Sequence, residues 1–203
     1  MQTNLFITKE KTTFKTLPLS EGYSIQTTQL PVSLRQNLDF IHLWNLHPDD
    51  FHIIKMHGKE VATPRWQQAY GMDYAYTGRV NKALPVPEIL YPLLQWAQTE
   101  IDERLNGILL DWYDGDLKHY IGKHRDSTTN MVDSAPIVTI SLGNERTFRL
   151  RPYQAEGKFD FNAPDGQVFV MPYITNQAFT HEVPHFGKNK GRRISVTIRA
   201  FEN

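Results

Sequence analysis

The chain has no cysteine, which excludes disulfides, thiolate metal sites and a cysteine nucleophile together. Any metal must therefore sit on imidazole and carboxylate. A surplus of one charge is also missing: 22 basic side chains balance 22 acidic ones. No global field draws the chain to polyanions, and contact with nucleic acid would need a local patch. No run of about 18 apolar residues is available to span a bilayer, and the opening MQTNLFITKEKTTF lacks the apolar core of a signal peptide. The expectation is a monomer without a membrane partner, cytoplasmic or, in a eukaryote, nuclear. Repeats, low-complexity tracts and linkers are lacking too, so residues 1–203 are expected to form one domain large enough to bury a substantial core.

What is present divides into a helical first half and a strand-rich second half. Ser33 and Gln36 have the spacing of a capping box, and Leu34, Leu38 and Ile41 recur at helical intervals behind it, which predicts a helix over about residues 33–45. A second helix is expected from Pro87, through Leu90, Leu93, Leu94, Ala97 and Ile101, to just before Gly107. From there, short β-branched and aromatic runs predict strands at Ile108–Tyr113, Ile137–Leu142, Thr147–Arg151, Gln167–Met171 and Arg193–Phe201. This is an α+β pattern, mainly β, of sandwich or barrel type.

Two sets of residues carry chemistry. In His124-Arg125-Asp126, alternate residues of an extended segment put an imidazole and a carboxylate on one side. With His181 they make the donor set of the facial triad of non-haem Fe(II) oxygenases, which leaves coordination positions open. With eight histidines in the chain, chance pairing is the competing reading. On the last strand, Arg193, Ser195, Thr197 and Arg199 share a face opposite Ile194, Val196, Ile198 and Ala200. The two arginines stand roughly 20 Å apart along the strand, a gap that two guanidinium arms can close on a small dicarboxylate. Solvated arginines on an outer strand are the alternative.

The ordered segments TPRWQQAYGMDYAYTG, NGILLDWYDGD, HYIGKHRD, PIVTISLGNERTFRLR, DGQVFVMP, THEVPHF and RRISVTIRAF resemble the AlkB family over about residues 61–201. The resemblance implies a double-stranded β-helix, or jelly roll, with covering N-terminal helices. Residues 1–60 would form an N-terminal extension and helix, 61–82 a substrate lid, and 107–203 the jelly-roll core. It implies Fe(II) on His124, Asp126 and His181, with 2-oxoglutarate and O₂ as co-substrates. Arg193 is expected on the far carboxylate of 2-oxoglutarate, Arg199 nearer its metal-chelating end, and the Tyr113 hydroxyl beside it. Asp111 departs from the family's usual asparagine, and a carboxylate there would repel a dicarboxylate unless protonated or turned away.

The implied reaction is hydroxylation of a C–H bond, which on an N-methyl group becomes demethylation. In the lid, Arg65 is expected to meet phosphate or a base edge, and Tyr74 and Tyr76 to stack on an extruded base; an ordinary half-buried tyrosine hairpin is the alternative. Lys188, Lys190, Arg192 and Arg193 form a local basic cluster that could meet a phosphate backbone. Ser127 and Thr128 stand where repair members carry acids, which weakens preference for a cationic lesion. The leading expectation is a demethylase of alkylated DNA or RNA bases. A hydroxylase of protein side chains or small metabolites, and a catalytically silent jelly-roll binding module, are the competitors.

Overall fold

The computed structural model describes residues 12–202 except 57, 77 and 188. Its elements are β1 (Lys15–Ser20), β2 (Tyr23–Gln29), α1 (Val32–Asn37), α2 (Phe40–Trp44), β3 (Ile53–Met56), β4 (Lys59–Ala62), β5 (Trp66–Tyr70), β6 (Tyr74–Tyr76), β7 (Arg79–Asn81) and α3 (Tyr91–Glu100). There follow β8 (Gly107–Asp114), β9 (Ile121–His124), β10 (Ile137–Gly143), β11 (Arg146–Pro152), β12 (Phe159–Ala163), β13 (Gln167–Met171), α4 (Tyr173–Ala178), β14 (Phe179–Val183) and β15 (Arg192–Arg199).

Two antiparallel sheets face each other as a jelly roll. The larger has the order β1-β2-β13-β10-β15-β8-β5 and the smaller β12-β11-β14-β9. All five predicted strands form, within a residue or two of the expected bounds. The large sheet reaches beyond residues 107–203, because β1, β2 and β5 pair into it; residues 15–29 thus supply sheet as well as cover. The alternation along β15 sorts its side chains: Ile194, Val196 and Ile198 join a core that includes Leu43, Leu93, Ala97 and Trp112, under α2 and α3. Each such aliphatic side chain is worth about 1.5–3 kcal/mol when fully buried. A second core, with Ile25, Phe148, Leu150, Phe169 and Phe179, lies between the sheets and supports the site from below.

The first predicted helix is broken in two. Leu38 is extended, and Asp39 accepts a hydrogen bond from the His42 amide at 2.9 Å, starting α2 afresh. A short polar side chain beside free amides makes a cap in preference to a continued helix, and Ser33 makes no cap bond. The Trp112 indole N–H then donates to the Leu43 carbonyl at 2.9 Å, fixing α2 to the sheet. Pro87 precedes a short 3₁₀ turn, and the α-helix itself begins at Tyr91. Gly107 opens β8, where a Cβ would meet the Phe201 ring at 2.6 Å, so only glycine fits. Among the described residues, no helix is long and apolar enough to cross a membrane.

Two small hairpins, β3/β4 and β6/β7, stand outside both sheets and are joined by an ion pair between Glu60 and Arg79. Residues of both line one cavity.

Candidate metal centre

That cavity has a volume of about 550 Å³ and opens between the two sheets. His124 ends β9 and His181 lies directly opposite it on β14, so antiparallel pairing alone brings the two imidazoles to ring centroids 4.3 Å apart. Asp126 follows β9 as irregular chain, and Asn176 on α4 fixes it there. The Asn176 side chain accepts from the Asp126 amide at 2.9 Å and donates to the Asp126 carbonyl at 3.1 Å. Asp126 Oδ1 is 3.5 Å from His124 Nε2 and 3.6 Å from His181 Nε2. All three donors lie within 4.8 Å of one another.

These separations are too long for hydrogen bonds. They fit a shared ion: donors about 2.1 Å from one cation at right angles stand about 3 Å apart. His124 Nδ1 lies 2.9 Å from the Gly122 carbonyl, an orientation that turns Nε2 towards Asp126. Burial, reinforced by His124, pushes the His181 imidazole down to about 3, so its lone pair stays available. Burial opposes the charge on Asp126, yet Arg199 and the two imidazoles hold its carboxyl well below the usual carboxylate range.

Arg199 is buried, at 3% exposure, and its Nε and Nη2 donate to Asp126 Oδ2 at 3.0 and 2.6 Å. The fork leaves Oδ1 turned to the histidines. Arg193, at 1% exposure, is a different kind of cation. Its Nε donates to the Ser141 hydroxyl at 2.9 Å and its Nη2 to Ser195 at 3.4 Å, while Nη1 is buried with no hydrogen-bond partner. Burial lowers its pKa, and among the described residues no carboxylate is ion-paired to it. A buried guanidinium with a donor to spare suits an anionic ligand. Tyr113 lies against it, ring centroid to Cζ 5.0 Å. The alternative of solvated outer-strand arginines is overturned, because the polar face of β15 points into the barrel.

The remaining expected residues divide. Tyr74 and Tyr76 stack on each other with centroids 5.2 Å apart. The Tyr74 hydroxyl is 3.4 Å from Asp126 Oδ1 and accepts from the Ser127 amide at 3.2 Å. The Tyr76 hydroxyl donates to Gln67 at 2.7 Å, and burial pushes it up to about 12. Ser127 lines the cavity and Thr128 does not. Arg65 lines the cavity at 5% exposure; its Nε donates to Asp111 Oδ1 at 2.7 Å and its Nη2 to Gln67 at 3.1 Å, which turns its guanidinium inward, away from an outside phosphate. Asp111 lines the cavity bound to that guanidinium. The basic cluster is not one patch. Lys188 lies outside the described residues, Lys190 pairs with Asp116 at 3.2 Å, Arg192 covers Trp44 with its Cζ 4.8 Å from the ring, and Arg193 points inward.

Sequence reasoning missed Asn176, Ser141 and Gln67. Ser141 had a signal, the alternation of Val138, Ile140 and Leu142 with Thr139 and Ser141; Asn176 had none.

The chain matches the 2OG-Fe(II) oxygenase superfamily over residues 27–199. It is 27% identical over 146 residues to the RNA replication protein of Grapevine virus A (isolate Is 151), a stretch that is 71% of this chain and 8% of that protein. The chain thus spans under a tenth of the curated relative it matches. A solved structure of OsALKBH1 superimposes with a TM-score of 0.61 at 12% identity, covering 92% of this chain and all of that one. A superfamily match over most of the folded chain, on a barrel whose two histidines and aspartate converge beside an anion-ready arginine, places this protein in the 2OG-Fe(II) oxygenase superfamily, with a fold like that of OsALKBH1.

Proposed function

We propose that the chain demethylates N-alkylated nucleobases in DNA or RNA. The observation that carries the reading is the stacked pair Tyr74 and Tyr76, standing against the donor triad inside a cavity whose rim carries exposed Lys123 and Arg125. An aromatic cavity lining suits a flat base, which would have to displace His52 from the outer face of Tyr76 to stack there, and rim cations suit a phosphate backbone. The resemblance to a viral protein named for RNA replication agrees with an RNA substrate.

In this reading His124, Asp126 and His181 hold Fe(II), and Arg199 keeps Asp126 charged and aimed. Arg193 takes the far carboxylate of 2-oxoglutarate through its unpartnered Nη1, with Tyr113 beside it. Bound Fe(II) supplies O₂ activation: decarboxylation of 2-oxoglutarate to succinate and CO₂ gives two electrons, a substrate C–H bond gives two, and the N-hydroxymethyl product releases formaldehyde. The protein contributes orientation and dryness: Tyr74 and Tyr76 hold the base, while Phe148, Leu109 and Val183 line the wall and keep water away.

The test is formaldehyde release from a panel of methylated nucleosides and oligonucleotides with Fe(II), ascorbate and 2-oxoglutarate. Release above the substrate-free rate from a methylated oligonucleotide is expected, and Tyr76→Ala should weaken its binding by about 1–3 kcal/mol, the worth of one base stack. Silence across the panel while 2-oxoglutarate is still turned over to succinate would sink the nucleobase reading. One observation favours a second reading, hydroxylation of a protein side chain or small metabolite. Among the described residues, the acids lining the cavity are Asp111 and Asp126, each bound to an arginine, so a cationic base finds no free carboxylate.

A further inference from the structure

Asp111 occupies an awkward position for a chain that binds a dicarboxylate. It lies directly opposite Ser195 on β15, and the Ser195 hydroxyl accepts from Arg193 Nη2 at 3.4 Å. The Asp111 charge acts on both Arg193 and Arg199. A free carboxylate there would attract the guanidinium that has a donor to spare and repel an incoming dianion.

It is not free. Arg65 Nε donates to Asp111 Oδ1 at 2.7 Å, with 6% and 8% of the two side chains exposed. Arg65 is itself fixed: its Nη2 donates to Gln67 Oε1 at 3.1 Å, and the same oxygen accepts from the Tyr76 hydroxyl at 2.7 Å. Gln67 stands directly opposite Asp111 across β5 and β8. Burial works against the charge on Arg65, but Asp111 holds its pKa above the ordinary arginine range. The half-buried lid-side tyrosine and the buried glutamine, arginine and aspartate thus form one hydrogen-bonded chain ending at the anion pocket.

We infer that Arg65 is a positioning residue for the co-substrate: its guanidinium ties the Asp111 carboxylate to the lid-side wall and neutralises it, leaving Arg193 as the free cation for 2-oxoglutarate. The inference rests on Arg193 as the carboxylate partner and not on the nucleobase reading, and Arg193→Ala tests that assignment by itself.

The experiment is calorimetric titration of 2-oxoglutarate into the full chain loaded with Mn(II), under anaerobic conditions. Arg65→Met is expected to weaken binding about tenfold, which is about 1.4 kcal/mol. Adding Asp111→Asn to Arg65→Met should bring affinity back to within about threefold of the parent, and Asp111→Asn alone should bind as tightly as the parent or tighter. An ion pair with only a structural role would weaken both single variants alike, because each strands a buried charge, so the asymmetry between Arg65→Met and Asp111→Asn is the discriminating readout. Unchanged affinity in Arg65→Met, a tenfold loss in Asp111→Asn, or no recovery in the double variant overturns the proposal. Should Arg65→Met fail to fold, Asp111→Asn and the double variant decide it.

Discussion

At the inner end of the cavity, Asp126 lies between two half-buried imidazoles and the Arg199 fork, Arg65 closes on Asp111, and Arg193 keeps one donor unspent, with the aspartates and arginines all buried. At the mouth, the two hairpins carry Ile53, Val61 and Val80 exposed, and Lys123 and Arg125 face solvent. Where water is excluded, a charge without a partner is costly, so each residue's identity is fixed by its neighbour. At the mouth water screens every charge and shape selects the ligand, so substitutions there are cheap. Chemistry is therefore written at the closed end and substrate choice at the open one.

The largest effect should come from the closed end. His124→Ala and Asp126→Ala are expected to abolish succinate formation. Asp126→Ala also strands the Arg199 charge, costing about 3–5 kcal/mol of stability in a urea titration. Undiminished turnover in either variant would remove the metal assignment. Next, Arg193→Ala should raise the half-saturating 2-oxoglutarate concentration roughly 10- to 150-fold, the equivalent of about 1.5–3 kcal/mol for hydrogen bonds to a charged group. An unchanged requirement would put Arg193 outside the site. The smallest effect belongs to the mouth. Ser127→Asp should improve the ratio of cationic to neutral methylated bases turned over by at most about fivefold, the worth of a partly exposed ion pair. Thr128→Asp, off the cavity lining, should change that ratio less; a larger response there would break the contrast between the two ends.

Legibility in the sequence followed the same division. β8, β10, β11, β13 and β15 were readable as short β-branched and aromatic runs between turn residues, and in β15 the alternation of apolar and polar side chains also told which face would carry Arg193 and Arg199. β9 and β14 carry the histidines but are short, mixed segments with no such pattern, IGKH and FTHEV. β1 and β2 read as cover, since nothing in KTLPLS or YSIQTTQ says that β2 will pair with β13, more than a hundred residues away. The basic cluster failed for a physical reason: Arg192 and Arg193 are neighbours in sequence, so a strand sends them to opposite faces. Trp66, placed in the lid, lies between His47 and Phe51, with centroids 4.3 and 5.4 Å away, and packs the back of the sheet.

The sequence by itself determined the donor types, because without cysteine a metal has only imidazole and carboxylate, and it determined the alternation that turns one strand face polar. Only the tertiary structure decided which partner each charge would have. His124 meets His181 through strand register, Asp126 is aimed by Asn176 and Arg199, and Arg65 belongs to Asp111 because β5 lies beside β8. Composition and local pattern state which groups are available, but the free energy of a buried charge depends on atoms within a few ångströms, and long-range pairing of the chain brings those atoms together.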